Sequence, residues 1–122
     1  MIRLLAVEDS PTQAERLRSD LSAAGFAVTM ATNAADALVL MQGEQFDLLL
    51  SDIVMPVMSG PDLAQRIVAG RPDIRVLYMS GFADQLNTAH GAMSAGVTIL
   101  HKPFSPEKLV RSVRDCLDVA VS

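Results

Sequence analysis

Short runs of hydrophobic residues recur along the chain and alternate with segments of helical periodicity. The runs occupy residues 4–7, 26–30, 48–50, 74–79 and 97–100, and each has the length and character of a buried strand. The three consecutive leucines of the third run are typical of a central parallel strand that is buried on both faces. The second run has few branched aliphatic residues, which favours an edge position.

Capping signals and the spacing of apolar residues predict a helix after each run. The first helix, over 11–24, has Ser10 as its cap, proline at its first position and Gln13 placed to complete a capping box. The other helices are predicted over about 32–41, 61–70, 83–95 and 105–117. The segment 83–95 contains many polar residues and a glycine, so there we expect a short or mobile helix.

Five strand-then-helix units with short connections predict an α/β fold. Such alternation is typical of a parallel sheet with right-handed crossovers and helices on both faces. In sheets of this kind, ligands bind beyond the carboxyl ends of the strands. The residues that follow each strand are therefore the first candidates for a functional site.

Length, charge and cysteine content narrow the class of protein. At 122 residues the chain is predicted to form one domain, spanning 1–122, and its 50% hydrophobic content argues against disorder. The net charge of −4 disfavours nucleic acid or an anionic membrane as a direct partner. A single cysteine, Cys116, excludes an internal disulfide. With no run long enough to span a bilayer and no signal peptide, the sequence indicates a cytoplasmic protein.

Polar side chains follow four of the five runs. Glu8 and Asp9 follow the first, Asp52 the third, Ser80 the fourth and Lys102 the fifth. Because the carboxyl ends of parallel strands meet at one edge, we expect these side chains to lie close together. Three carboxylates and one ammonium would leave a net charge of −2, which calls for a cation. Oxygen ligands without clustered histidine or cysteine favour Mg²⁺.

This set of residues suits phosphoryl chemistry. An aspartate can act as a nucleophile towards phosphorus and form an aspartyl-phosphate. A metal ion, a hydroxyl and an ammonium would then neutralise and orient the oxygens of the transferred group. Each residue also has an ordinary interpretation: Glu8 and Asp9 favouring the helix dipole, Ser80 as a turn residue and Lys102 as a solvated lysine.

Four motifs in order resemble the receiver domain of two-component response regulators. They are Val7-Glu8-Asp9, Asp52-Ile53-Val54-Met55-Pro56-Val57-Met58-Ser59-Gly60, Met79-Ser80-Gly81 and His101-Lys102-Pro103-Phe104. The resemblance covers essentially the whole chain and implies a bacterial phosphorelay protein with a flavodoxin-like sheet of strand order 2-1-3-4-5. The residues around Ser80 also resemble receivers attached to hybrid histidine kinases.

The resemblance implies a Mg²⁺ site at the ends of the first and third strands. Asp9 matches the direct metal ligand of the family, and Glu8 its acidic neighbour acting through water. Asp52 and the backbone carbonyl of Val54 match the remaining protein ligands.

The resemblance also implies the parts of a phosphorylation site. Asp52 matches the phosphoacceptor, Ser80 the hydroxyl that binds the phosphoryl group and Lys102 the cation that pairs with it. The bond before Pro103 is expected to be cis, as is usual in the family. Such a domain is not an enzyme in its own right, since it assists only its own phosphorylation and slow dephosphorylation.

The resemblance implies two kinds of protein partner, a phosphoryl donor and a downstream partner. The phosphoryl donor would be a phosphohistidine of a histidine kinase or a histidine phosphotransfer protein, docking near Thr12, Gln13 and Arg16 on the first helix. The downstream partner would be a protein that contacts the face made by the fourth helix, the fifth strand and the fifth helix.

Two departures from the family pattern leave alternatives open. The position three before Lys102 is usually aromatic in the family, but here it is Ile99, so we expect the coupling from Ser80 to the output face to be weaker or differently built. Val54 and Phe82, two residues beyond Asp52 and Ser80, are both apolar, which predicts slow self-dephosphorylation. The main alternative is a pseudo-receiver, a binding module that is not regulated by phosphorylation.

Two other classes of protein fit less well. A hydrolytic phosphatase with an aspartyl nucleophile needs a second acid two residues on, and Val54 cannot protonate a leaving group. A nucleotide-binding flavodoxin-like domain would need a Walker-type loop or a GxGxxG turn, and the sequence has neither.

Overall fold

The computed structural model describes residues 2–55, 57–81 and 98–118. These residues contain five strands and four helices in the order β1 (Arg3–Val7), α1 (Pro11–Ala23), β2 (Ala27–Ala31), α2 (Ala34–Gly43), β3 (Leu48–Asp52), α3 (Gly60–Gly70), β4 (Arg75–Ser80), β5 (Thr98–His101) and α4 (Pro106–Asp118). The helix predicted over 83–95, the side chain of Phe82 and the first residue of the predicted fifth strand lie outside the described residues.

The strands form one parallel sheet with the order β2-β1-β3-β4-β5, which confirms the predicted fold class and topology. The register brings the carboxyl ends together: Val7 pairs with Ser51, and Asp52 pairs with Met79. The strand β2 is at an edge, as predicted. Although β2 ends in no ionisable residue, its Ala31 carbonyl accepts a 3.0 Å hydrogen bond from the Glu8 backbone N–H.

The sheet is covered on both faces, and alternate leucines of β3 point into opposite halves of the core. Leu49 packs with Leu63 on the side of α2 and α3. Leu48 and Leu50 pack with Leu109 on the side of α1 and α4. All three leucines of β3 are fully buried, as expected for a central strand. Across the described ranges, no helix combines the length and the apolar character needed to cross a membrane.

Local capping sets the start of each helix close to the predicted position. Asn33 caps α2 by accepting a 2.8 Å hydrogen bond from the Asp36 N–H. The helix α3 begins at Gly60, one residue before the predicted start, with Ser59 as its cap. Cys116 is buried in α4, as its core spacing indicates.

Candidate functional site

Three acidic side chains converge at the ends of β1 and β3. Glu8, Asp9 and Asp52 each offer a carboxylate oxygen, and these oxygens lie within 4.8 Å of one another. Glu8 is only 2% exposed and Asp52 only 4% exposed, whereas Asp9 is open to solvent. Two buried carboxylates at this separation repel each other unless a cation or a shared proton intervenes.

Lys102 provides one positive charge to this cluster. It follows β5, which is separated from β3 by β4, and its stem extends back across the end of β4. The Lys102 Nζ lies 2.7 Å from Asp52 Oδ1 and 2.9 Å from Glu8 Oε1. The Lys102–Pro103 peptide bond is cis, as the resemblance implies. The ammonium therefore bridges the two buried acids.

A third acceptor for Lys102 was not predicted. Gln13 Oε1 lies 2.8 Å from Lys102 Nζ. The predicted capping box is accordingly wrong in one half: Ser10 Oγ does accept from the Gln13 N–H, but the Ser10 N–H donates to Glu8 Oε2 at 3.2 Å. A charged ammonium is a stronger donor than a backbone N–H, so it takes the glutamine oxygen.

Burial and charge move the pKa values of the two buried acids in opposite directions. Burial, followed by the hydrogen bond to Glu8, raises the pKa of Asp52 to about 7 despite the opposing effect of Lys102. For Glu8, burial disfavours ionisation, but hydrogen bonds with Asp52 and Lys102 outweigh it and lower the pKa. Without a metal ion, these opposite directions favour the ionised form of Glu8 over that of Asp52.

The acid cluster fits a divalent cation. Three oxygens of hard carboxylate type stand close enough to enter one coordination sphere. Burial, followed by the neighbouring Glu8, raises the pKa of Asp52, and a bound cation would favour its ionised form. Within the described residues this is the group of three acids that meets the spacing for a metal.

Ser80 lies beside this cluster without joining its hydrogen bonds. It is fully buried at the end of β4, one residue beyond Met79, the register partner of Asp52. Its hydroxyl donates to the Gly81 carbonyl at 3.2 Å. Its carbonyl accepts a 2.8 Å bond from the Lys102 N–H, which ties the end of β5 to β4.

The loop after β3 is tightly held at both ends. The Ile53 N–H donates to the Met79 carbonyl, and the Gly60 N–H donates to the Ile53 carbonyl at 2.8 Å. A Cβ on Gly60 would lie 2.1 Å from the Asp52 carbonyl oxygen, so only glycine allows this approach. The backbone of α3 is thereby packed against the backbone of Asp52.

Two valines in this loop face solvent. The Val54 residue is 50% exposed, and Val57 is fully exposed. Val57 also has a φ of 74°, a conformation that a β-branched side chain rarely adopts. Backbone outliers of this kind cluster at functional sites, where the surrounding structure enforces them.

Ile99 occupies the position where the resemblance leads us to expect an aromatic residue. It pairs in register with Tyr78 of β4 and packs, partly buried, against the core on the side of α2 and α3. Tyr78 thus places an aromatic ring on β4, next to the expected position.

Comparison of the sequence with known proteins points to one family. A family model, the response regulator receiver domain, matches residues 4–114. The response regulator receiver protein CpdR of Brucella abortus is 36% identical over 98% of this chain and 100% of its own. The sensor kinase CckA of the same organism is 33% identical over 80% of this chain, which corresponds to 11% of the kinase.

Solved structures agree with the sequence comparisons. The CheY-like response regulator receiver domain protein of Methanospirillum hungatei superposes with a TM-score of 0.87 at 27% identity, covering 99% of this chain and 97% of that one. The homologues are signalling domains of two-component systems. With the matched family model, the shared fold and a relative covered over its full length, this chain belongs to the response regulator receiver domain family.

Proposed function

We propose that the chain is a single receiver domain, spanning 1–122, in which Asp52 accepts a phosphoryl group from a phosphohistidine. The donor is a histidine kinase or a histidine phosphotransfer protein. In this reaction an Asp52 carboxylate oxygen forms a bond to phosphorus. The bond between phosphorus and the histidine nitrogen breaks, and its electron pair remains on the imidazole. Phosphorylation then alters a protein-binding face that includes β5 and α4.

One observation carries this proposal: an ammonium and two further acids converge on one buried carboxylate. Lys102 lies 2.7 Å from Asp52 Oδ1, close enough to pair with an oxygen of an incoming phosphoryl group. A solvated surface lysine would not be held by two buried acids. A purely structural ion pair would not need a third acid, Asp9, in reach of the same point.

Mg²⁺ is the cation that suits the donor atoms. Glu8, Asp9 and Asp52, with the backbone carbonyl of Val54, would hold it, in part through water. When bound, the ion neutralises negative charge on the transferred group and on the acids. Ser80 lies on the neighbouring strand, where rotation of its hydroxyl away from the Gly81 carbonyl would allow it to donate to a phosphoryl oxygen.

The chemistry is limited to the domain's own phosphorylation. A hydrolytic phosphatase needs an acid that protonates the leaving group, and the apolar side chain of Val54 stands two residues after the proposed nucleophile. We therefore expect no turnover of a chromogenic phosphate ester. A cytoplasmic location, indicated by the sequence, remains a prediction.

The pseudo-receiver alternative is favoured by Ile99 alone. A domain that binds partners without phosphorylation has no need for an aromatic switch residue, but it also has no need to keep Lys102 between two buried acids.

The deciding experiment is intact-mass measurement after incubation with Mg²⁺ and acetyl phosphate. The wild-type protein should gain one phosphate, whereas Asp52→Ala should gain none. A wild-type protein that stays unmodified under these conditions, and with a phosphorylated donor protein, would support the pseudo-receiver instead.

A further inference from the structure

The Lys102 ammonium has three N–H donors, and three side-chain oxygens surround it. Asp52 Oδ1 lies at 2.7 Å, Glu8 Oε1 at 2.9 Å and Gln13 Oε1 at 2.8 Å. Two of these acceptors belong to the acid cluster, and the third is a neutral amide from the first turn of α1. The sequence resemblance assigns no role to Gln13 within the site.

We propose that Gln13 is a positioning residue that, together with Glu8, holds the Lys102 ammonium over Asp52 for phosphoryl transfer. This inference rests on the proposed function. It assigns to α1 a part in the chemistry of the site, in addition to any part in partner binding.

Two of the acceptors, Glu8 and Gln13, are themselves fixed by hydrogen bonds at the start of α1. The Ser10 N–H donates to Glu8 Oε2, and Ser10 Oγ accepts from the Gln13 N–H. Glu8 and Gln13 are thus both tied to the same capping residue. Lys102 reaches them across the end of β4, so contacts from β3, from the end of β1 and from α1 together hold its head group.

A neutral acceptor is well suited to this position. A third carboxylate beside Lys102 would add negative charge to a cluster that already raises the pKa of Asp52. The amide oxygen of Gln13 satisfies the remaining N–H without adding charge. When a phosphoryl group occupies Asp52, its oxygen can replace Asp52 Oδ1 as an acceptor, while the bonds to Glu8 and Gln13 stay in place.

Removing the Gln13 oxygen should therefore leave the Lys102 ammonium less well ordered, while its ion pairs with Glu8 and Asp52 remain. The catalytic value of a fixed cation lies in its orientation before the reaction. Because Gln13 is exposed, water can partly replace it, so the effect should be moderate. We expect a slowing of phosphorylation of about three- to tenfold.

The test compares Gln13→Met, which keeps the length but lacks the acceptor, with Gln13→Glu, which keeps an oxygen there. The matched control is Gln42→Met, the same exchange at an exposed position of α2. The chain has two lysines, Lys102 and Lys108, so ¹⁵N spectra of the side-chain ammonium groups are simple. Exposed Lys108 serves as the internal reference.

Two readouts are taken, hydrogen exchange of the Lys102 ammonium and the initial rate of phosphorylation by acetyl phosphate with Mg²⁺. Gln13→Met should speed the exchange at Lys102 but not at Lys108, and slow phosphorylation three- to tenfold. Gln13→Glu should keep slow exchange at Lys102, because it keeps the acceptor oxygen, but its added negative charge should leave phosphorylation slower than in the wild type. Gln42→Met should match the wild type in both.

Wild-type exchange or a wild-type rate in Gln13→Met would overturn the proposal, as would exchange at Lys102 that is equally fast in Gln13→Met and Gln13→Glu. The exchange readout needs no phosphorylation. If the wild-type protein gained no phosphate at all, the proposed function would fail, and the bond between Gln13 and Lys102 would still be judged by exchange.

Discussion

Lys102 and Asp52 form a 2.7 Å ion pair although β4 separates β3, which ends at Asp52, from β5, which precedes Lys102. The lysine stem crosses the end of β4, and only 23% of its side chain is exposed. The pair therefore connects two non-adjacent strands over the candidate site. Stability and chemistry at this edge of the sheet depend on the same contact.

Replacing Lys102 by methionine should destabilise the protein at pH 8. The change leaves Asp52 and Glu8 buried without a cation, which we expect to cost roughly 2–3 kcal/mol of unfolding free energy after allowance for partial exposure. Urea unfolding at low ionic strength measures it. Lys108→Met, at an exposed site on α4, should change little; an equal loss in both variants would contradict the assigned ion pair.

Asp52→Asn should stabilise the metal-free protein at high pH. The folded state raises the pKa of Asp52 to about 7, whereas the unfolded chain ionises near 4. The folded state thus binds this proton more tightly, and stability from neutral Asp52 is lost as pH rises between these values. An uncharged asparagine avoids that loss.

The advantage of Asp52→Asn should grow from pH 4.5 to pH 7 and then level off, reaching roughly 2–4 kcal/mol. The measurement is urea unfolding across this range in the presence of a chelator. Below pH 4.5, Glu8 has the opposite effect on stability. Its pKa is lowered in the folded state, so the folded protein loses stability as Glu8 becomes protonated. A variant less stable than wild type at pH 8 would be inconsistent with the raised pKa.

Mg²⁺ should raise the melting temperature of the wild-type protein. For an ion present at ten to thirty times its dissociation constant, binding adds about 1.4–2 kcal/mol to the unfolding free energy. Asp9→Asn should reduce this gain by removing one ligand. Asp73→Asn removes an exposed acid that precedes β4, far from the site, and should keep the full gain. An equal response in both variants would argue against a site at Asp9.

Gly60→Ala should destabilise the domain and disturb the site. The new Cβ would meet the Asp52 carbonyl oxygen at 2.1 Å, so the start of α3 or the end of β3 must move, at a cost of roughly 2–3 kcal/mol. Gly43→Ala is the control, because a Cβ there meets nothing within 4 Å; it should be neutral or slightly stabilising. Thermal and urea unfolding of the pair tests the packing directly.

The phosphorylated protein should lose its phosphate over minutes or longer. Val54 is apolar and cannot orient a water molecule for attack on the aspartyl-phosphate. Val54→Asn supplies an amide that can, so release should speed up severalfold. Val39→Asn is a control at another exposed valine, on α2. Loss of phosphate from the wild type within seconds would contradict the prediction.

The sequence allowed the fold and the acid cluster to be predicted because both depend on strand ends. Runs such as 48–50 identify buried parallel strands, and a polar residue within two positions of the end of such a run lies at the functional edge of the sheet. Asp52 and Lys102 belong to this class. The sheet topology alone was enough to predict that Asp52 and Lys102 lie close together, because the carboxyl ends of all five parallel strands lie at the same edge of the sheet.

Contacts that depend on which of several possible partners a side chain binds could not be predicted in the same way. Gln13 fits a capping box by spacing, and only the position of the Lys102 head group shows that its oxygen is used elsewhere. The backbone of Val57 is a second example, since no local pattern favours a positive φ at a β-branched residue. Val57 lies in the loop that the hydrogen bond between Gly60 and Ile53 closes.

The hydrogen bond from the Glu8 backbone N–H to the Ala31 carbonyl shows that the edge strand contributes to the site through its backbone and not through a side chain. The strand β2 offers the candidate site nothing but its main chain, yet that main chain fixes the residue from which the buried acid projects. Substitutions along β2 that preserve its pairing should leave the phosphorylation chemistry untouched. A deletion that shifts β2 by one residue would misplace Glu8 even though every acidic residue in the protein remained.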